Sequence, residues 1–225
     1  MKSDIKKQFG AIAKSYDLQR RILIPCFDEF YSCIISCVDD SEDNTNILDI
    51  GAGTGLLTAF LFDKYPKSNY TLIDIADEMI DQAKKRFIGQ PNFTYITADY
   101  VNYNFEKKYN IIVSALSIHH LEDNEKAQLY KNIFNCLDEN GIFVNGDQFL
   151  SRSQVVESLV QEKWRKKIRE SNLPSEEVEA VYNRMKMDKP ATVEQNIQWL
   201  EQAGFIEVDL MYKYFPFGVV RGKKI

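Results

Sequence analysis

The segment NILDIGAGTGLLT, residues 46–58, sets Asp49 two places ahead of Gly51, with Gly53 and Gly55 at the next alternate positions. A glycine turn leading from an apolar strand into a helix lets backbone N–H groups approach a ligand closely. Further along stand Asp74 at the end of YTLID, Asp99 in TADY, and the adjacent His119 and His120 in SALSIHHL. A dinucleotide turn reads G-x-G-x-x-G, and Leu56 stands where its third glycine belongs. Asp49, if buried at a strand end, needs a positive partner that a dinucleotide does not offer. Asp74 suits the hydroxyls of a ribose, and Asp99 is placed to reach an adenine amino group. One molecule with an ammonium, a ribose diol and an exocyclic amine is S-adenosylmethionine (SAM).

Such acids act together only if strands bring them to one edge. From Asn46 onward, short β runs alternate with amphipathic stretches. The runs are NILDI, YTLIDI (70–75), FTYITA (93–98), NIIVSAL (110–116) and GIFVNGD (141–147), with helical stretches near 54–65, 77–88 and 124–137. Runs apolar on both faces, separated by helices, predict a parallel sheet covered on both sides. The terminal FIEVDLMYKYFPFGVV predicts an antiparallel hairpin around Pro216, for seven strands in all. Asp77 reads as the N-cap of the helix after the second strand. Thr192 and Gln195 fit a capping box, with Gly204 as the stop.

The first forty residues predict two helices, one presenting Phe9, Ile12, Ala13 and Tyr16, the other opening at Pro25. A polar connector, 39–46, follows. Residues 150–190 form an insertion with Val156, Leu159, Val160, Trp164 and Ile168 at helical spacing. The expected organisation is a single domain over 1–225, with 1–40 as a helical cap and 150–190 as a helical lid.

The chain has 28 basic and 33 acidic residues, a net charge of −5, which disfavours binding to nucleic acid. The basic run KWRKKIR (163–169) reads as a solvated face with Trp164 turned inward. No apolar stretch approaches the ~18 residues of a membrane span, and MKSDIKKQFG lacks the apolar core of a signal peptide. A cytoplasmic location is therefore expected. Cys26, Cys33 and Cys37 share a helical stripe with Phe30 and Ile34 and read as buried thiols; no metal site is predicted from the sequence.

ILDIGAGTGLLT, LIDIADEMIDQAKKRF, ITADYVNYNF, YNIIVSALSIHHL and CLDENGIFVNGDQF resemble, in order, the motifs of Rossmann-like (class I) SAM-dependent methyltransferases. The resemblance implies a seven-stranded α/β sheet, SAM as cofactor and S-adenosylhomocysteine as product. It implies that Asp49, Gly51, Ala52 and Gly53 hold the methionine part and Asp74 the ribose. Ile75, Met79, Asp99 and Tyr100 border the adenine, and Ser114 and Ala115 follow at the fourth strand's end. By the same resemblance Tyr16, Arg20 and Arg21 lie over the site.

Methyl transfer from SAM needs an acceptor held in line, and a base only where the acceptor is protonated. His119 or His120 is the candidate base, His119 the first choice. A small-molecule acceptor is expected, with no membrane partner; the oligomeric state, a homodimer included, stays open. The layout F…YD…P, helical insertion and AGF…FPFG is also similar to carboxy-SAM synthase, an enzyme linked to tRNA wobble-uridine modification. That likeness implies Arg184 as the carboxylate holder. Phe27 and Ala115 stand where that family has a tyrosine and an asparagine, so methyl transfer is read first. A SAM-binding protein without catalysis is the remaining alternative.

Overall fold

The computed structural model describes residues 6–10, 13, 16–38 and 45–225. Its centre is one seven-stranded sheet in the order β3-β2-β1-β4-β5-β7-β6. The strands are β1 (Asn46–Ile50), β2 (Asn69–Asp74), β3 (Phe93–Thr97), β4 (Tyr109–Ala115), β5 (Leu137–Gln148), β6 (Ile206–Tyr214) and β7 (Phe217–Lys223). The first five run parallel, while β7 lies antiparallel to both β5 and β6. β1 pairs with β2 on one side and β4 on the other, so the strand order reverses at β1. A crevice opens at such a reversal, outside the carboxyl ends of the strands. Asp49 and Asp74 both sit at those ends.

Two apolar layers flank the sheet. On one face pack α1 (Tyr16–Leu23), α2 (Phe27–Ser36) and α3 (Leu56–Lys64), with Phe30, Ile34, Leu61 and Val144 in one cluster. α2 comes close to β5 because Gly146 has no side chain: a Cβ there would stand 2.4 Å from Ile34 and 2.8 Å from Phe30. Cys26 and Cys37 are buried, Cys33 is half-buried, and all are free thiols. On the other face, α5 (Asp123–Cys136) and α8 (Val193–Ala203) bury Leu129, Tyr130, Ile133 and Leu200 against Ile112 and Phe143. Between β2 and β3 lies α4 (Asp77–Arg86).

The first forty residues depart from the two-helix expectation. Residues 6–10 are helical, Ala13 stands in a turn, and α1 begins afresh at Tyr16. Phe9 and Tyr16 still meet, edge to face, with ring centroids 6.1 Å apart. Ile12 and residues 39–44 of the connector lie outside the described residues. Asp77 is not a cap either: Ala76 holds the N-cap position of α4, and Asp77, the first helical residue, pairs with Lys6 at 2.6 Å. The capping box of α8 is present in both directions, and Gly204 ends the helix at φ 110°.

The insertion forms α6 (Gln154–Arg169) and α7 (Ser175–Met185). Val160, Trp164 and Ile168 make its buried stripe, whereas Val156 and Leu159 face outward. Trp164 Nε1 donates to the Leu23 carbonyl at 2.7 Å, tying α6 to the end of α1. Among the described residues no helix is long and apolar enough to cross a membrane.

Candidate functional site

The glycine turn is built by its backbone. Gly51 N and Ala52 N both donate to Ile73 O, at 2.8 and 3.1 Å, which ties the turn to the end of β2. Gly51, Gly53 and Gly55 all have positive φ, at 66°, 56° and 75°, a region costly for residues with a Cβ. Their surroundings differ. A Cβ on Gly55 would meet Phe87 at 2.8 Å, so this glycine serves the packing of α3 against its neighbours. A Cβ on Gly51 would overlap Ser117 Oγ at 1.9 Å. At Gly53 the nearest atom is Met79 Sδ at 4.0 Å, and a Cβ there would project into open space.

Asp74 organises the other wall. Its carboxylate accepts from Gly53 N at 2.9 Å and from Ala76 N at 2.8 Å. Burial raises its pKa, and those N–H donors pull it back toward the ionised form. Asp49 is almost fully buried and accepts from Thr58 Oγ1 at 2.6 Å through Oδ2 alone. Its Oδ1 has no hydrogen-bond partner. Desolvation pushes its pKa up to about 7, further raised by Asp74 and opposed by Thr58.

A cavity of about 620 Å³ opens beside this turn. Gly51, Gly53, Asp74, Ile75 and Met79 line it, and Asp99, Tyr100 and Tyr16 complete the part expected from sequence. His120, one of the two histidines noted in the sequence, lines it, as do Phe9, Ala76, Leu116, Ser117 and Leu121, which the sequence did not single out as site residues. Ser117 is buried, with its Oγ 2.9 Å from the Tyr100 hydroxyl. Leu116 is held at φ 55°, a strained conformation for a branched side chain. Neither feature leaves a mark in the sequence, because both depend on the bend after β4.

A second cavity, about 400 Å³, meets the first at Phe9 and His120. Arg20, Gln148 and His119 line it from the body of the molecule, and Trp164, Arg184 and Asp188 from the insertion. Arg20 and Arg184 are both buried. Arg184 Nη2 donates to Gln19 Oε1 at 3.0 Å, while Arg20 stacks over Tyr16 and its Nε has no partner. Burial and the nearby Arg20 charge lower the pKa of Arg184. Two desolvated guanidiniums share this cavity with the carboxylate of Asp188, an arrangement with room for a further anion.

Residues 47–141 match the family described as a methyltransferase domain. The chain is 30% identical over 140 residues to malonyl-[acyl-carrier protein] O-methyltransferase 1 of Ilyobacter polytropus, covering 62% of this chain and 50% of that protein. It is 26% identical over 239 residues to carboxy-S-adenosyl-L-methionine synthase of Helicobacter hepaticus, covering 99% and 98%. Human N-acetylserotonin methyltransferase, solved with SAM, superposes at a TM-score of 0.61 and 17% identity over 86% of this chain and 51% of that one. The chain has the fold of the class I methyltransferases, with a methyltransferase-domain match over residues 47–141.

The comparisons support SAM as the cofactor, and the residues present fit it. The orphaned Asp49 Oδ1 is a carboxylate oxygen awaiting a donor, and the open space at Gly53 is room that any side chain would fill. Other residues expected at the site stand elsewhere. Ala52 is buried off the cavity wall, and Ser114 Oγ donates to Ile50 O at 2.8 Å inside the sheet. Ala115 packs against the core. Arg21 is exposed, pairs with Asp28 at 2.9 Å and covers Phe27; its neighbour Arg20 is the one turned into a cavity, since α1 sends successive residues to different faces. His119 lines the second cavity alone. Its Nδ1 bonds Asp147 and its Nε2 lies 3.6 Å from Asp188. Burial alone would lower its pKa, but the two carboxylates outweigh that and raise it. The chain spans about half the length of the malonyl-[acyl-carrier protein] O-methyltransferases it matches.

Proposed function

We propose that this protein transfers the methyl group of SAM to a small anionic acceptor seated in the second cavity. The observation that carries the reading is the abutment of the two cavities at Phe9 and His120, with Arg20 and Arg184 buried in the outer one. SAM supplies an already activated methyl, so the chain's own task is positioning and exclusion of water. Asp49 and Asp74 would hold SAM through its ammonium and its ribose. Arg20 and Arg184 would orient the acceptor by its carboxylate or phosphate. Trp164, Val181 and Met185 of the insertion close the outer cavity with apolar surface.

A second reading follows from one observation. The likeness to the Helicobacter hepaticus synthase runs through 99% of this chain, the insertion with Arg184 included. On that reading Arg184 would hold a carboxylate added to SAM itself. Mass spectrometry of the nucleoside released by the denatured protein separates the two. Release of SAM or S-adenosylhomocysteine, with Arg184→Met leaving SAM affinity unchanged, is the outcome expected for methyl transfer to an acceptor. A nucleoside heavier by one carboxyl group, lost in Arg184→Met, would overturn it in favour of carboxy-SAM chemistry.

A further inference from the structure

His119 and His120 fall on the short 3-10 turn Ile118–His120 that follows β4, and Asp188 faces them from the loop after α7. Asp188 Oδ1 lies 3.6 Å from His119 Nε2 and 3.1 Å from His120 Nδ1, and one ligand atom from each residue falls within 4.8 Å of the others. Metal–nitrogen and metal–oxygen bonds of about 2.0–2.2 Å put neighbouring ligands of one ion roughly 3.0–3.5 Å apart; the 3.1 Å separation falls inside that range and the 3.6 Å one at its edge. The side chains are 3%, 10% and 11% exposed.

Two further features point to an ion and not to a plain hydrogen-bonded cluster. His120 Nδ1 lies 3.1 Å from an Asp188 carboxylate oxygen but makes no well-aligned hydrogen bond to it. That off-axis placement is what two ligands of one ion share, because each aims at the ion and not at the other. His119 Nδ1 is committed to Asp147, which also accepts from His119 N at 3.0 Å. A carboxylate gripping one ring nitrogen and leaving the other to point at a metal is the outer arrangement of most histidine-ligated sites. Asp147 and Asp188 together carry the charge that a divalent cation neutralises.

The geometry points to a divalent transition-metal site made by His119 Nε2, His120 Nδ1 and Asp188, with Asp147 orienting His119. Two imidazoles and one carboxylate suit zinc, iron(II) or cobalt(II) and leave coordination positions open toward the second cavity. Binding releases whatever proton occupies His119 Nε2. An anionic ligand held by Arg20 and Arg184 would be shared with the ion. The site also joins the insertion, through Asp188, to the mouth of the sheet.

The test uses the chelator-stripped full chain titrated with Co(II) alone, read by visible absorption and by equilibrium dialysis, so it needs neither SAM nor an acceptor. One equivalent is expected to bind, without the thiolate charge-transfer band that the four cysteines would give. Asp188→Asn and His120→Asn are each expected to weaken binding beyond the roughly 10–100-fold typical of outer partners, and Asp147→Asn to fall within that range. Circular dichroism and thermal unfolding identify the variants that are folded. Absence of stoichiometric Co(II) in the unmodified protein, affinity unchanged in a folded Asp188→Asn or His120→Asn protein, or a thiolate spectrum would each overturn the assignment.

Discussion

At the residue scale, Asp49 concentrates the chemistry of the cofactor site. Its carboxylate is buried, half-satisfied, and pushed up to about 7 by desolvation. In the ligand-free protein that shift favours the protonated carboxyl. The stabilisation it gives is therefore fullest below the ordinary value of 3.8 and is lost as pH rises to about 7. The ammonium of SAM needs the opposite, ionised form. Below pH 7 Asp49 must shed a proton to bind it, so SAM affinity is expected to fall from pH 8 to pH 6, by up to roughly tenfold per unit below the pKa. Asp49→Asn is expected to bind SAM more weakly at pH 8 and to lose most of that slope. The amino group of the ligand titrates identically against both proteins, so calorimetry on the pair isolates Asp49. Equal slopes would show that Asp49 does not meet the ammonium. The acid and its glycines were legible from type and spacing, but Ser117, Leu116 and Phe9 were not. Those three reach the cavity through the bend after β4 and the fold of the N-terminal segment, which no local pattern encodes.

At the element scale, helix signals carried as far as hydrogen bonds within one turn reach. The Thr192–Gln195 box and Gly204 were readable because cap and stop are satisfied within a few residues. Thr192→Ala is expected to cost about 1 kcal/mol. That lowers the unfolding midpoint by roughly 2–4 °C in a chain of this size, with SAM affinity unchanged. Gly204→Ala is expected to cost more, since its φ of 110° is poorly tolerated and its Cβ would stand 2.8 Å from Phe134. Scanning calorimetry orders the two; a smaller loss at Gly204 would show that Phe134 moves freely aside. Asp77 misled because an acid at a helix start can cap or simply face solvent, and here Lys6, distant in sequence, claims it. The N-terminal apolar face misled in the same way: Phe9 and Tyr16 meet edge to face, but Ala13 between them stands in a turn.

At the scale of the whole molecule, the insertion and the N-terminal helices make the second cavity between them. Arg20 comes from α1 and Arg184 from α7, and the insertion is tied to α1 by Trp164 on the Leu23 carbonyl and by Arg184 on Gln19. Arg20→Met and Arg184→Met are each expected to raise the acceptor KM by roughly 10–100-fold, the worth of a charge-assisted hydrogen bond. SAM affinity is expected to change little, because neither arginine lines the cofactor cavity. Steady-state kinetics with a panel of carboxylate and phosphate acceptors, paired with SAM titration, reads both. Equal losses in SAM binding would place the arginines on the cofactor instead.

The sequence by itself determined the parallel sheet, its closing antiparallel hairpin and the strand edge at which the glycine turn and the acids gather. Alternating apolar runs, a glycine turn and acids at strand ends are local patterns with a narrow set of physical solutions. The tertiary structure alone decided which residues share the outer cavity: Arg20 in place of Arg21, His120 between the two cavities, and Asp188 against the histidines. Those meetings depend on how a helical insertion lies across the sheet, and helix packing is fixed by the summed fit of many side chains. A short motif records the ends of its own strand; it does not record what another part of the chain will bring to face it.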